Sequence, residues 1–403
     1  MHVIIIGAGQ AAATCAFKLR EYGFLGDITL LGEESVLPYH RPPLSKKYLN
    51  GTARIEDLFI RPCTSYEEAN INVRLNTRAE KIDISNKRVL TQEGDSLPYD
   101  KLVLATGSRA RPIPSLSSTE LLNVFTFRDL RDADALANYM LADKRVVIIG
   151  GGYIGLEIAA VARMSGMEVA VIERADRILQ RVACKETSDF VRHFHRERGV
   201  RIFERSEVIH YEVSDRRVAR VHLQSGEILD ADVLVVGIGI IPNVKLAAEA
   251  GVTLNLDAIK VDPCCRTSAD AVYAIGDCTS FEFQGRQIRL ESVQNALEQA
   301  DTVARDLMGL LAEYSPKPWF WSDQYNYKMQ INGLSFNHDQ VISRITPDGS
   351  SASFWYFDGD KLQAVDAIND PRAFMLSKKF IGYAIPNKSR LSDAKKDLKE
   401  LLL

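Results

Sequence analysis

The sequence holds six cysteines, Cys15, Cys63, Cys184, Cys264, Cys265 and Cys278, and no two stand in CxxC or CxxxxC spacing. A cysteine-pair redox centre is thereby excluded, and all six thiols are expected to be structural. Cys264 and Cys265 are adjacent, but two reduced thiols are expected there rather than a strained vicinal bond. Histidine is scarce, at seven residues. His193 and His195 lie two apart, which turns them to different sides of a helix, and no metal site is expected. No run of about 18 apolar residues occurs, so no spanning helix is expected. The opening MHVIIIGAG carries neither a basic leader nor a cleavage site, which predicts a soluble, cytoplasmic protein. The formal net charge is −3. That balance gives no overall electrostatic reason to bind nucleic acid or an anionic membrane.

What is present is a long chain with a repeated design. At 403 residues two or three domains are expected. Short Val- and Ile-rich runs recur at 4–6, 28–31, 102–104, 146–149, 169–172, 233–236 and 272–275, as in strands buried on both faces. Helical patterns separate several of them, which predicts an α/β, doubly wound architecture. The stretches 3–33 and 146–173 are two copies of one unit: strand, glycine turn, helix, strand, acidic residue. After Pro316 the character changes, and the alternation in 353–357 and 362–368 predicts an antiparallel sheet with a terminal helix. The expectation is two Rossmann-like dinucleotide-binding domains plus a C-terminal α+β domain. The boundaries expected are 1–112 with 240–315 for the first, 113–239 for the second and 316–403 for the third.

The first glycine turn is GAGQAA (7–12). Gly7 permits the tight turn, Gly9 lets backbone approach a pyrophosphate, and Ala12 stands in for the third small residue. The helix that follows offers free N–H groups and a partial positive charge to phosphates. Glu33, at the end of the second strand, suits both ribose hydroxyls. The second turn is GGGYIG (150–155), with Gly150, Gly152 and Gly155 in the same roles and Glu173 as its acid. A carboxylate there favours a free 2′-hydroxyl and opposes a 2′-phosphate, which predicts NADH, although the adjacent Arg174 is able to turn toward a phosphate. The like-charge contact costs up to roughly 4 kcal/mol at an effective dielectric of ~20.

Two further segments separate the two nucleotides. DKLVLATGS (100–108) is a strand ending in a small-residue turn, and TSADAVYAIGDC (267–278) is a strand ending in Gly276 and Asp277. Gly276 lets backbone come close and Asp277 suits a polyol, which has no use to NADH alone and predicts FAD. Because that segment lies far from Gly7, the first domain is expected to be discontinuous.

Together with LPYHRPPLSK (37–46), ATGS (105–108), VYAIGDC (272–278), RLESVQNALEQA (289–300) and PWFWSDQY (318–325), these motifs make the chain resemble the FAD-dependent NADH:ferredoxin reductases of the putidaredoxin reductase and biphenyl dioxygenase reductase type. The resemblance runs along essentially the whole chain, which departs from the pattern at Ala258 and at Ala12. It implies a glutathione-reductase-like architecture and transfer of electrons from NADH through FAD to a small [2Fe-2S] ferredoxin. That ferredoxin serves a haem-thiolate mono-oxygenase or a Rieske-type dioxygenase, and Val293, where many dioxygenase-serving members carry tryptophan, leans to the former. The resemblance implies FAD contacts at Gly7, Gly9, Ala11, Ala12, Glu33, Arg41, Lys46, Ala79, Ala105, Thr106, Gly107, Arg128, Gly276, Asp277, Ser292, Val293 and Trp321. NADH contacts are implied at Gly150, Gly152, Tyr153, Ile154, Gly155, Glu157, Glu173, Gly237, Ile238 and Gly239.

By the same resemblance Lys46 and Glu157 lie near flavin N5 as the catalytic pair, or else they form a surface ion pair. The helical pattern 291–308 points its N-terminus at the flavin N1/O2 edge, which stabilises anionic reduced flavin by roughly 0.3–2 kcal/mol. Trp319 and Trp321 shield the ring or else are core aromatics of the third domain. Arg286, Arg289 and Lys328 meet an acidic ferredoxin or else are solvated, and His40 is expected to pack or else to sit near the cofactor. With no CxxxxC pair and no cysteine in RPPLSKKYLN, electrons are expected to leave the flavin directly. A monomer or weak dimer is expected. The alternatives are a flavin-dependent signalling protein of the apoptosis-inducing-factor type and a monodehydroascorbate or quinone reductase.

Overall fold

A computed structural model describes residues 1–117 and 120–402. The first stretch of chain forms strand β1 (His2–Ile6), helix α1 (Gln10–Glu21), β2 (Asp27–Leu31), β3 (Ile71–Arg74) and β4 (Lys101–Leu104). The middle forms β5 (Val124–Thr126), β6 (Arg145–Ile149), α2 (Tyr153–Met164), β7 (Glu168–Ile172), α3 (Lys185–Glu197), β8 (Arg201–Phe203) and β9 (Val233–Val236). The remainder forms β10 (Val272–Ala274), α4 (Val293–Leu307), β11 (Trp319–Gln324), β12 (Tyr327–Gly333), β13 (Gln340–Ile345), β14 (Ala352–Asp358), β15 (Lys361–Ile368) and α5 (Pro371–Phe380). The chain divides into two compact units. One comprises 1–41, 54–109 and 240–318, the other 42–53, 110–239 and 319–403.

In the first unit five parallel strands lie in the order β10-β4-β1-β2-β3. Ile4 and Ile5 of β1, Leu30 of β2 and Val103 of β4 are fully buried, as strands covered on both faces require. Each such side chain contributes about 1.5–3 kcal/mol by leaving water. In α1, Ala12, Ala13, Cys15, Ala16 and Leu19 face the core, and α4 packs against it through Ala296, Ala300, Val303 and Ala304. Small residues on both helices let them approach closely.

The second unit holds a parallel sheet in the order β8-β7-β6-β9-β5. The two sheets share one plan, in which a central strand precedes the glycine turn and the order reverses beside it. They differ in the source of the outermost strand: β10 arrives late in the chain, whereas β5 precedes the rest of its sheet.

The second unit also contains the antiparallel sheet β11-β12-β15-β14-β13 with α5 against it. In β14, Ala352 to Phe357 are all buried. The physical reason is that both faces are covered. Trp355 and Phe357 pack with Ala373 and Phe374 of α5. On the other face Phe354 meets Phe190 of α3, with ring centroids 6.0 Å apart. Tyr356 on that same face donates to Asp366, which also accepts from Thr187 Oγ1 at 2.7 Å.

Among the described residues no helix is long and apolar enough to cross a membrane. No group of three or more His, Cys, Asp or Glu side chains among them is arranged to hold a metal ion. All six cysteines are free thiols. Cys15, Cys184, Cys265 and Cys278 are buried, with burial pushing the Cys15 thiol up to about 12. Cys63 is exposed on the short helix Cys63–Glu68, 3.6 Å from Glu67.

Candidate active site

In the first unit, the turn after β1 and the turn after β4 are built against each other. Gly7 has φ +116°, and a Cβ there would sit 2.2 Å from the Ala105 carbonyl oxygen. Only glycine allows both the left-handed backbone and that approach. Gly9 has open space around its Cβ position. It caps α1 without a side-chain hydrogen bond, and the first turn carries no acidic residue. The leading N–H groups of α1 are thus left for an anion, at the point where the strand order reverses. Ala12 is fully buried, and the Ala11 methyl lies 3.3 Å from where a Gly276 Cβ would stand.

Asp277 follows Gly276 and accepts from Ser108 Oγ at 3.0 Å. This hydrogen bond joins the strand-end turn 105–108 to the segment predicted to hold a polyol. Thr106 and Gly107 are fixed by a residue the sequence did not single out. Asn243 donates from Nδ2 to the Thr106 carbonyl at 2.9 Å, and its own carbonyl accepts from Thr106 Oγ1 at 2.6 Å. A second such residue is Gln299, whose Oε1 accepts from the Gly276 N–H at 2.7 Å and from Thr279 Oγ1 at 3.1 Å.

Glu33 is exposed after β2, with Arg78 Nη1 3.4 Å away, and Ala79 follows Arg78 as a buried residue. Arg41 holds Glu34 at 2.5 Å and donates to Tyr39 Oη at 2.9 Å. His40 does not pack internally as expected. It is exposed and its Nδ1 meets Oε1 of Gln10, in the first turn of α1, at 2.8 Å. Its neighbour at the turn is polar, which makes a surface position favourable. Ser292 caps α4 by accepting from the Asn295 N–H at 3.2 Å, so the helix starts at Val293 rather than at Glu291.

The second unit repeats the design. Gly150 has φ +110°, and its Cβ would lie 2.3 Å from the Gly237 carbonyl oxygen. Gly155 allows the helix to sit on the turn, since its Cβ would meet the Gly150 carbonyl at 2.2 Å. Gly152 has open space and caps α2 without a side-chain partner. Glu173 is fixed at the end of β7, accepting from the Gly151 N–H at 2.8 Å and the Ala175 N–H at 2.7 Å. Ile154 and Ile238, beside these turns, are apolar and exposed. Tyr153 packs on Phe320 with centroids 4.9 Å apart.

Lys46, Arg128 and Trp321, expected from the resemblance to touch FAD, belong to this second unit. Lys46 sits in a π-type turn, Leu44–Tyr48. Its Nζ lies 2.8 Å from Glu157 Oε2, and the Glu157 side chain is 1% exposed. Ser45 Oγ donates to the same carboxylate oxygen, and Ser322 Oγ donates to the other at 2.6 Å. Neither serine was singled out by the sequence, although both lie inside the motifs RPPLSK and PWFWSDQY. Trp321 stacks on Trp319 at 5.4 Å, and Trp319 also meets Phe374 and Lys378 of α5. Trp319 is partly buried and packs against the core of the antiparallel sheet. The Arg128 N–H donates to Asp132 at 2.6 Å. Burial, reinforced by Asp129, pushes the Asp132 carboxyl up to about 6.

Both glycine cradles fit a dinucleotide: each has a turn closed to any Cβ, a second glycine open to a ligand, and a helix N-terminus without a side-chain acceptor. Residues 1–300 match the family described as pyridine nucleotide-disulphide oxidoreductase, and residues 319–402 match the reductase C-terminal domain. The chain is 40% identical to putidaredoxin reductase of Pseudomonas putida, covering 100% of this chain and 96% of that relative. It is 38% identical to rhodocoxin reductase of Rhodococcus erythropolis, over 99% of this chain and 94% of the relative. The structure of a covalent putidaredoxin reductase–putidaredoxin complex superposes with a TM-score of 0.95 at 40% identity, covering 99% of this chain and 97% of that one. With two dinucleotide cradles and a third sheet matched end to end, the chain belongs to the pyridine nucleotide-disulphide oxidoreductase family and is an oxidoreductase of its ferredoxin reductase branch.

Proposed function

We propose that the protein takes a hydride from NADH onto FAD and passes the electrons one at a time to a [2Fe-2S] ferredoxin serving an oxygenase. Bound FAD would supply the hydride acceptor and the step from two-electron to one-electron transfer. The residues expected to hold it are Gly7, Gly9, Ala105, Thr106, Gly107, Gly276, Asp277 and the N-terminus of α4, in the domain formed by 1–112 and 240–315. The α1 N–H groups bind the pyrophosphate, and Asp277 takes a polyol hydroxyl. Lys46 and Glu157 orient the reacting rings, and Trp321 covers one side.

The observation that carries the reading is the combination of two open glycine cradles with the absence of any cysteine pair. No cysteines stand in the CxxC or CxxxxC spacing of a disulfide relay, so the electrons pass outward. The N-terminus of α2 suits the pyrophosphate of either nicotinamide nucleotide, and Glu173 favours NADH. The carboxylate is held by two backbone N–H groups, so it cannot swing away from a 2′-phosphate without losing both. A cytoplasmic location accompanies NADH as electron source, and the working form is a monomer or weak dimer.

The test is NADH-dependent reduction of cytochrome c by purified flavin-loaded protein, with and without [2Fe-2S] ferredoxins from the same source. Stimulation by at least one ferredoxin is expected. A rate that no ferredoxin raises overturns the reading.

A further inference from the structure

Glu157 is the end of a longer polar chain. Ser322, which donates to Glu157 Oε1, accepts in turn from Gln324 Nε2 at 3.1 Å. Gln324 Oε1 then meets His195 Nε2 at 2.7 Å. Ser45, Glu157, Ser322, Gln324 and His195 are each 5% exposed or less. They come from four places in the sequence: the 44–48 turn, α2, β11 and α3. Ser322 and Gln324 are two apart on β11, so they share one face of that strand.

The carboxylate fixes the direction of every hydrogen bond. An ionised carboxylate only accepts, so the Ser322 hydroxyl must donate to it. The serine oxygen is then served by the amide NH2 of Gln324, which turns the amide oxygen toward α3. His195 must therefore carry its proton on Nε2 and leave Nδ1 bare. Nδ1 is indeed buried without a partner among the described residues. Burial lowers the imidazole to about 4, so the ring is neutral near pH 7.

We propose that Ser322, Gln324 and His195 are positioning residues for Glu157: through this chain α3 and β11 fix the rotation of the carboxylate and leave its second oxygen to Lys46 and Ser45. The inference rests on reading Lys46 and Glu157 as the pair that orients hydride transfer. A connected buried network holds its members more rigidly than isolated contacts do. A small rotation of a group at the reacting centre is costly to the rate.

Stopped-flow reduction of the bound flavin by NADH, together with histidine 15N NMR, tests this. Ser322→Ala is expected to slow reduction about tenfold with little change in the apparent NADH affinity, and Ser322→Thr to restore it. Gln324→Met should give the same slowing and serves if Ser322→Ala folds poorly. In a Glu157→Gln background the Ser322→Ala effect should shrink to less than about twofold, because the two act as one unit. A purely structural role would leave the effect undiminished. Independently of turnover, His195 should show the neutral Nε2–H form in the wild type. In Glu157→Gln the new amide NH2 faces Ser322, since Lys46 and Ser45 demand the carbonyl, so the chain reverses and His195 shifts to Nδ1–H. An unchanged rate in Glu157→Gln overturns the role of the pair. A slow Glu157→Gln with a normal Ser322→Ala and Gln324→Met, or an Nδ1–H ring in the wild type, overturns the positioning chain alone.

Discussion

Lys46 Nζ stands 2.8 Å from the carboxylate of Glu157, a lysine side chain 15% exposed against a glutamate 1% exposed. Removing one partner of a buried pair leaves the other charge uncompensated, which costs about 3–5 kcal/mol in fully buried cases. The residual exposure of Lys46 places Lys46→Met at the lower end, about 3 kcal/mol, in urea unfolding of the protein. Lys46→Met combined with Glu157→Gln is expected to recover most of that loss. Additive losses in the double variant would show that the pair is not coupled.

Gly9 and Gly152 separate ligand binding from folding, because a Cβ at either meets nothing within 4 Å. Gly9→Ala should melt like the wild type yet retain FAD about tenfold more weakly, and Gly152→Ala should keep its flavin while its KM for NADH rises about tenfold, a change of roughly 1.4 kcal/mol in each case. Equilibrium dialysis of flavin and steady-state kinetics read the two. An exchange of the two phenotypes would reverse the assignment of the cradles.

Asp366 gives stability a pH dependence. Burial pushes its carboxyl up to about 6, against the opposing hydrogen bonds from Tyr356 and Thr187. The folded state then holds the proton more tightly than the unfolded chain. Its contribution is present below about pH 4 and lost as pH rises through about 6, a change of up to ~3 kcal/mol. Asp132 is raised in the same sense, so the measurement is the difference between wild type and Asp366→Asn across pH 4–7. The Asn variant should lose less stability over that interval. Parallel curves would remove Asp366 as the source.

Glu173 is expected to discriminate the two nicotinamide nucleotides. Glu173→Gln keeps one acceptor for the Gly151 or Ala175 N–H but removes the charge. The NADH-to-NADPH ratio of kcat/KM should narrow about tenfold, equivalent to about 1.4 kcal/mol, with the exposed Arg174 free to meet the 2′-phosphate. A ratio unaffected by the substitution would place discrimination elsewhere.

The two nucleotide-binding units were legible because each is written locally: β1, α1 and β2, and again β6, α2 and β7, lie within a short window whose glycines and Val/Ile runs have few alternative structures. Lys46 and Glu157 were legible only through a resemblance, since nothing local says that a lysine after two prolines will meet a glutamate on a distant helix. Ser45, Ser322, Gln324 and His195 were not legible as a group. Each is an ordinary polar residue in its own segment, and their common property, a place on one buried chain, exists only after α2, α3 and β11 have packed. His195 was weighed only as a metal ligand, for which its neighbour His193 is turned to solvent and paired with Glu197 at 3.1 Å.

The first sheet stays incomplete until a long intervening segment has been synthesised. Leu102, Val103 and Leu104 of β4 are 0% exposed once β10 pairs with them, yet β10 is translated only after the whole of 110–239. At synthesis rates of roughly 5–20 residues per second, this strand edge stays open for about 10–30 s on the ribosome. During that interval the middle segment is able to assemble its own parallel sheet. The nascent β4 edge is therefore the place where a chaperone would be needed and where a stalled or truncated product would aggregate.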